Sequence, residues 1–191
     1  MFKKITFVFS FIIFFSNPFN IFAQDPKEQN WIGKNSKNLS ELWELGDEYH
    51  RGTFLITTYK PIYLTVAKYS TNPNEFPVAE NSTKVLDAPL SLNAVEAKFQ
   101  VSLKTKIFHN MLDGHMDLWM GYSQTAYWQI YNIERSRPFR ELNYQPEIIA
   151  NFPVKFKFLG FDLKMVGAAI IHESNGQSDP ISRSWNRIAF H

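Results

Sequence analysis

The chain has 191 residues, enough for one domain, and no cysteine, which excludes disulfides and thiolate metal sites. Its formal charge is +2, and Lys3 and Lys4 of the N-terminal leader account for that excess. The remainder is neutral, so there is no electrostatic case for binding nucleic acid.

Residues 1–23 read as a secretory signal peptide. Lys3 and Lys4 give the positive start, and the apolar run 5–15 is too short to span a bilayer. Asn17-Pro18 breaks that run, and Ile21-Phe22-Ala23 offers a cleavage site. Residues 24–52 are a polar lead-in, where Leu39, Leu42, Trp43 and Leu45 predict a short amphipathic helical turn behind a Ser40 cap.

From residue 53 to 191 the pattern is that of strands. Segments 54–59 and 62–69 are β-branched and aromatic, and 72–93 is a loop carrying Pro73, Pro77 and Pro89. Then alternation sets in. Val95, Ala97, Phe99, Val101 and Leu103 share one face, against Glu96, Lys98, Gln100, Ser102 and Lys104. Met116, Leu118, Met120, Tyr122, Ala126 and Trp128 share the next apolar face. After a charged loop at 134–141, Ile148, Ala150, Phe152, Val154, Phe156 and Phe158 share a third. A fifth run, 161–171, follows the tight Leu159-Gly160 connection without clean alternation.

These runs are roughly 10–15 residues long, whereas soluble strands average about 5–6. Long strands, one apolar face, and tight turns alternating with longer polar loops predict an all-β protein, an antiparallel transmembrane β-barrel with apolar side chains facing lipid. Periodicity alone leaves a soluble β-sandwich or lipocalin-like barrel, turned the other way out, as the alternative.

The stretch His172-Glu173-Ser174-Asn175-Gly176 combines a base and a hydroxyl two residues apart, on one face of a strand. Asn175-Gly176 and Asp179-Pro180 carry turn chemistry. A hairpin there brings Asn186 on the return strand beside His172, giving a Ser-His-Asn arrangement in which Ser174 attacks, His172 takes its proton and Asn186 holds the imidazole tautomer. By parity, His172, Ser174, Asn186 and Gln124 all lie on apolar faces. Polar groups facing hydrocarbon are costly unless paired, so a mutual network Ser174–His172–Asn186–Gln124 is the expectation, with Gln124 orienting Asn186.

The motif 172–176, with Ser178-Asp179-Pro180 and Ser182-Arg183-Ser184-Trp185-Asn186-Arg187, resembles the bacterial outer membrane phospholipase A family. Further matches are Gly121-Tyr122-Ser123-Gln124, the run 136–147, Tyr59-Lys60-Pro61-Ile62-Tyr63 and Asn72-Pro73. The resemblance covers nearly everything after the lead-in. It implies Ser174 as nucleophile, His172 as general base, Asn186 as its orienting group, Gln124 as support for Asn186, and the Gly176 amide as an oxyanion donor. It also implies a homodimer and calcium. The ion's ligands map to the Ser182 hydroxyl and Gln177 carbonyl of one subunit and to Ser136 of the other, with Asp179 at a weaker second site. The family usually has arginine at Gln177 and aspartate at Glu173. The implied reaction is hydrolysis of phospholipid and lysophospholipid acyl esters (phospholipase A1 and A2 activity) in the bacterial outer membrane. The family barrel has twelve strands, whereas about six are countable here. The resemblance therefore implies a C-terminally truncated chain, the N-terminal half of a barrel. The rival readings are a non-catalytic outer membrane barrel and a soluble periplasmic lipid-binding barrel.

Overall fold

The computed structural model describes residues 37–191; the expected signal peptide and the lead-in up to residue 36 lie outside the described residues. Seven strands form one antiparallel sheet: β1 Thr57–Thr58, β2 Tyr63–Tyr69, β3 Val95–Asn110, β4 Met116–Trp128, β5 Phe139–Phe158, β6 Phe161–Ser174 and β7 Ser184–Phe190. Neighbours in sequence are neighbours in space, in the order β1-β3-β4-β5-β6-β7, with β2 also on β3.

β1 and β2 occupy one position in the sheet. Thr57 pairs with Lys104, and Tyr63 pairs with Gln100 farther along the same edge of β3. The break falls at Lys60-Pro61, where proline removes a ladder donor. The segments read as two strands are one interrupted strand.

β3 to β6 run 16, 13, 20 and 14 residues, membrane-spanning lengths rather than those of a soluble sheet. β5 starts at Phe139, so it takes in Arg140 and Glu141, which the charge pattern places in a loop. The reason is an ion pair: the Arg140 guanidinium donates to Glu96 on β3 at 2.8 and 2.9 Å.

The two faces have inverted polarity. Ser102, Lys104, Lys106, Asp117, Ser123, Glu147 and Asn151 are buried, whereas Val101, Met120, Ile148, Ile170 and Ile188 are exposed. Glu147 is 2% exposed and Ile170 66%. A soluble sandwich or lipocalin-like barrel would bury the second set, so this polarity selects the sheet of a membrane barrel. Among the described residues no helix is long and apolar enough to cross a membrane, and that says nothing of strands.

The lead-in contributes α1, Leu39–Trp43, whose cap is Asn38 rather than Ser40. The Asn38 side chain accepts from the Glu41 amide at 2.9 Å, because Asn38 directly precedes the helical residues while Ser40 lies within them. Trp43 packs edge-on against Trp119 and Tyr59, and Glu44 is buried between Lys106 at 3.2 Å and Arg51 at 3.1 Å. Those partners belong to the polar face, so α1 lies against the inside of the sheet.

Long connections, residues 70–94, 129–138 and 175–183, gather at one end of the strands; the tight turns at 111–115 and Leu159-Gly160 lie at the other. That asymmetry is typical of outer membrane barrels. The candidate catalytic residues sit at the long-loop end.

Candidate active site

β6 and β7 pair with His172 directly opposite Asn186 and Ser174 opposite Ser184. The sequence makes this hairpin because Asn175 and Gly176 end β6 and Ser184 starts the return strand. His172 and Asn186 share the outward face with the exposed Ile170 and Ile188. His172 Nδ1 lies 2.8 Å from Asn186 Oδ1. An amide oxygen can only accept, so Nδ1 carries the hydrogen and Nε2 has its lone pair free to take a proton.

Ser174 Oγ accepts a hydrogen bond from the Gly176 amide at 3.0 Å. The amide that the family resemblance implies as an oxyanion donor thus points at the Ser174 oxygen. Gly176 has φ +64°, and a Cβ there would meet the Tyr144 ring at 2.9 Å. Both facts restrict the position to glycine. Tyr144 pairs with Ser174 across β5 and β6, and so forms the floor under this turn.

Gln124 is not brought into the group. It lies on β4, with β5 and β6 between it and Asn186 on β7, or about 14 Å at the usual interstrand spacing. Its Oε1 instead accepts the Tyr122 hydroxyl at 3.0 Å, which satisfies a polar side chain on an apolar face locally. The orienting role expected for Gln124 toward Asn186 has no contact to act through.

The loop carrying Gln177, Asp179 and Ser182 is held by Asn175, 4% exposed. Its Nδ2 donates to the Ile181 carbonyl at 2.8 Å; its Oδ1 accepts the Arg183 amide at 2.9 Å and the Gln177 amide at 3.3 Å. One buried side chain therefore ties both ends of the loop. The long 70–94 connection leans on it as well: the Ala79 amide donates to the Pro180 carbonyl at 2.7 Å, and Lys84 stands 3.5 Å from Asp179. Ser182, exposed, and Gln177 with its backbone carbonyl are on this loop, whereas Ser136 is on the 129–138 connection, at φ +59°. Hydroxyl and carbonyl oxygens on a constrained loop suit calcium. Among the described residues no group of three or more His, Cys, Asp or Glu is placed to hold a metal ion.

A cavity of about 590 Å³ opens beside Ser174, lined among others by Asn143, Glu173, Asn175, Ser182 and Trp185. That volume is in the range of ligand sites.

Asn175 and Tyr144 are the residues that sequence reasoning missed. The sequence marks Asn175 only as turn chemistry; its place at the start of a nine-residue loop between two strands is the available signal. Tyr144 shares outward parity with Ile148, which the pattern did show.

The family model for phospholipase A1 matches residues 39–191. The chain belongs to the phospholipase A1 family. A Neisseria meningitidis serogroup B protein named for the same activity is 42% identical over 153 residues, 78% of this chain and 40% of that one. A Salmonella typhi outer membrane phospholipase, described as a dimer with bound calcium, has a TM-score of 0.64 at 30% identity, covering 79% of this chain and 56% of that one. An Escherichia coli outer membrane phospholipase A with an active-site asparagine changed to alanine also gives 0.64, at 32% identity, with 79% and 56% covered. The chain thus spans between two fifths and just over half the length of these relatives. Its sheet, apolar side outward, is part of the family's outer membrane β-barrel.

Proposed function

We propose that this protein is a calcium-dependent outer membrane phospholipase that hydrolyses acyl esters of phospholipids and lysophospholipids, at either glycerol position, through a Ser174–His172–Asn186 triad in a homodimer. The observation that carries the proposal is the 2.8 Å His172–Asn186 bond on a lipid-facing surface, two residues from a serine. A soluble enzyme would have no reason to assemble a base there; an enzyme whose substrate is the surrounding lipid would.

In this reading Ser174 Oγ attacks the ester carbonyl and its proton passes to His172 Nε2. The glycerol oxygen leaves with that proton, and acyl-Ser174 is then hydrolysed by water activated by the same imidazole. Asn186 keeps Nδ1 protonated and the ring in place. The Gly176 amide donates to the developing oxyanion. Ser182 and the Gln177 carbonyl would hold calcium together with Ser136 of the partner subunit, and Asp179 would serve a weaker site where Lys84 now competes. Calcium bound there would supply positive charge close to the oxyanion. The relatives described as a calcium-bound dimer and as an active-site asparagine variant support the same reading.

The test is phospholipid hydrolysis in detergent micelles with calcium or a chelator, over a dilution series. Activity should vanish with the chelator and fall on dilution as dimers part. Hydrolysis indifferent to both would overturn the calcium and dimer assignments.

A further inference from the structure

Behind the triad, on the inner face, an unbroken polar chain ties together the residues adjacent to each catalytic position. Glu173, between His172 and Ser174, accepts from Gln145 Nε2 at 2.7 Å and from Arg187 Nη1 at 3.3 Å. Arg187 directly follows Asn186. Gln145 Oε1 in turn accepts from Lys60 Nζ at 2.6 Å, and Lys60 pairs with Glu147, whose other oxygen takes the Tyr59 hydroxyl at 3.1 Å.

This chain crosses a gap in the ladder. β5 pairs with β6 at Tyr144↔Ser174 and again, in the same register, at Glu147↔Ile171. Pro146 lies between and has no N–H. Pairing with β4 continues through Tyr122↔Pro146, so the missing donor falls on the β6 side, abreast of His172. The strand that presents the base and the nucleophile therefore lacks backbone support from β5 where they project, though it stays paired with β7. The Gln145–Glu173 contact is a side-chain bond across that same gap.

We propose that Glu173, bridged by Gln145 from β5 and by Arg187 from β7, is a positioning residue that sets the projection of His172 and Ser174 in place of the ladder bond lost at Pro146. The carboxylate does not reach the outward face; it acts through the backbone of its two neighbours. Lys60, at the break between β1 and β2, fixes Gln145 and so couples the far edge of the sheet to the site.

This rests on the proposed function, and the test separates the two. A fluorophosphonate probe reports nucleophile alignment directly: Ser174 Oγ attacks phosphorus, fluoride leaves, and the serine proton passes to His172. The labelling rate is measured in calcium-containing micelles for wild type, Glu173→Ala, Gln145→Ala and Glu173→Gln, with KM for a phospholipid and the β-sheet circular dichroism alongside. Both alanine variants should label about tenfold to a hundredfold more slowly, the loss that small misplacements bring, with KM and circular dichroism unchanged. Glu173→Gln keeps an acceptor for Gln145 and should recover most of the rate. Alanine variants that label at the wild-type rate overturn the inference. So does a Gln variant as slow as Ala, or slow labelling accompanied by loss of β-sheet signal, since the carboxylate would then hold the sheet and not the site. Wild-type protein that does not label at Ser174 overturns the proposed function, and this inference with it.

Discussion

His172 and Asn186 face each other across an antiparallel pair, and their bond depends on one amide oxygen. Asn186 carries no charge, so it can hold the tautomer but adds little to stabilising an imidazolium. Replacing it by alanine leaves Nδ1 without its acceptor and lets the ring turn. Hydrolysis by Asn186→Ala is expected to fall on the order of tenfold to a hundredfold in kcat, with KM little changed, as initial-rate measurements would show. Loss confined to KM would place Asn186 in substrate binding instead. The His-x-Ser spacing and the opposing asparagine were legible because a strand has period two and a hairpin reverses direction. The position of Gln124 was not. Parity says which face a side chain is on, but not how many strands lie between two residues of that face. Tyr122, two residues away, was near enough to satisfy it first.

At the scale of elements, two features escaped the pattern for local reasons. The run 161–171 lacks alternation because the β5–β6 register shifts between Pro153 and Phe156, a bulge that changes the phase of the pairing. The lead-in shows no more than a short amphipathic turn in its sequence, because its residues meet partners distant in sequence. Trp43 packs on Trp119, and Glu44 pairs with Lys106, itself bound to Asp117 at 2.8 Å. Only the folded sheet creates that seat. Glu44 and Lys106 have side chains 2% and 1% exposed, so removing one charge leaves the other buried with a single counter-ion. Glu44→Ala is expected to destabilise the protein by about 3 kcal/mol in urea unfolding from lipid vesicles, followed by tryptophan fluorescence. A change within experimental error would show that α1 does not contribute to holding the sheet.

The whole molecule is governed by its inverted polarity. Alternation alone allowed a soluble barrel as well as a membrane one. The burial of charged residues on the covered face, with Ile148, Ile170 and Ile188 on the open one, decides between them. The fold class was legible because the runs are longer than the strands of soluble sheets. The closed inner network was not, because long-range pairs such as Lys60 with Glu147 have no sequence period. If the open face meets lipid, a charge placed there is expensive. Ile170→Lys is expected to cost about 2–4 kcal/mol in the same urea unfolding assay, and less toward the strand ends. An unchanged unfolding midpoint would argue that Ile170 faces water.

If Ser174 is the nucleophile for phospholipid hydrolysis, replacing it abolishes the reaction. Acyl release from phospholipid vesicles is compared for the wild-type protein and Ser174→Ala at saturating calcium. Fatty acid release is expected from the wild type, with a fall of at least about a thousandfold in the variant, within the range by which loss of a nucleophile slows such enzymes. Equal release by the two proteins would contradict that role of Ser174.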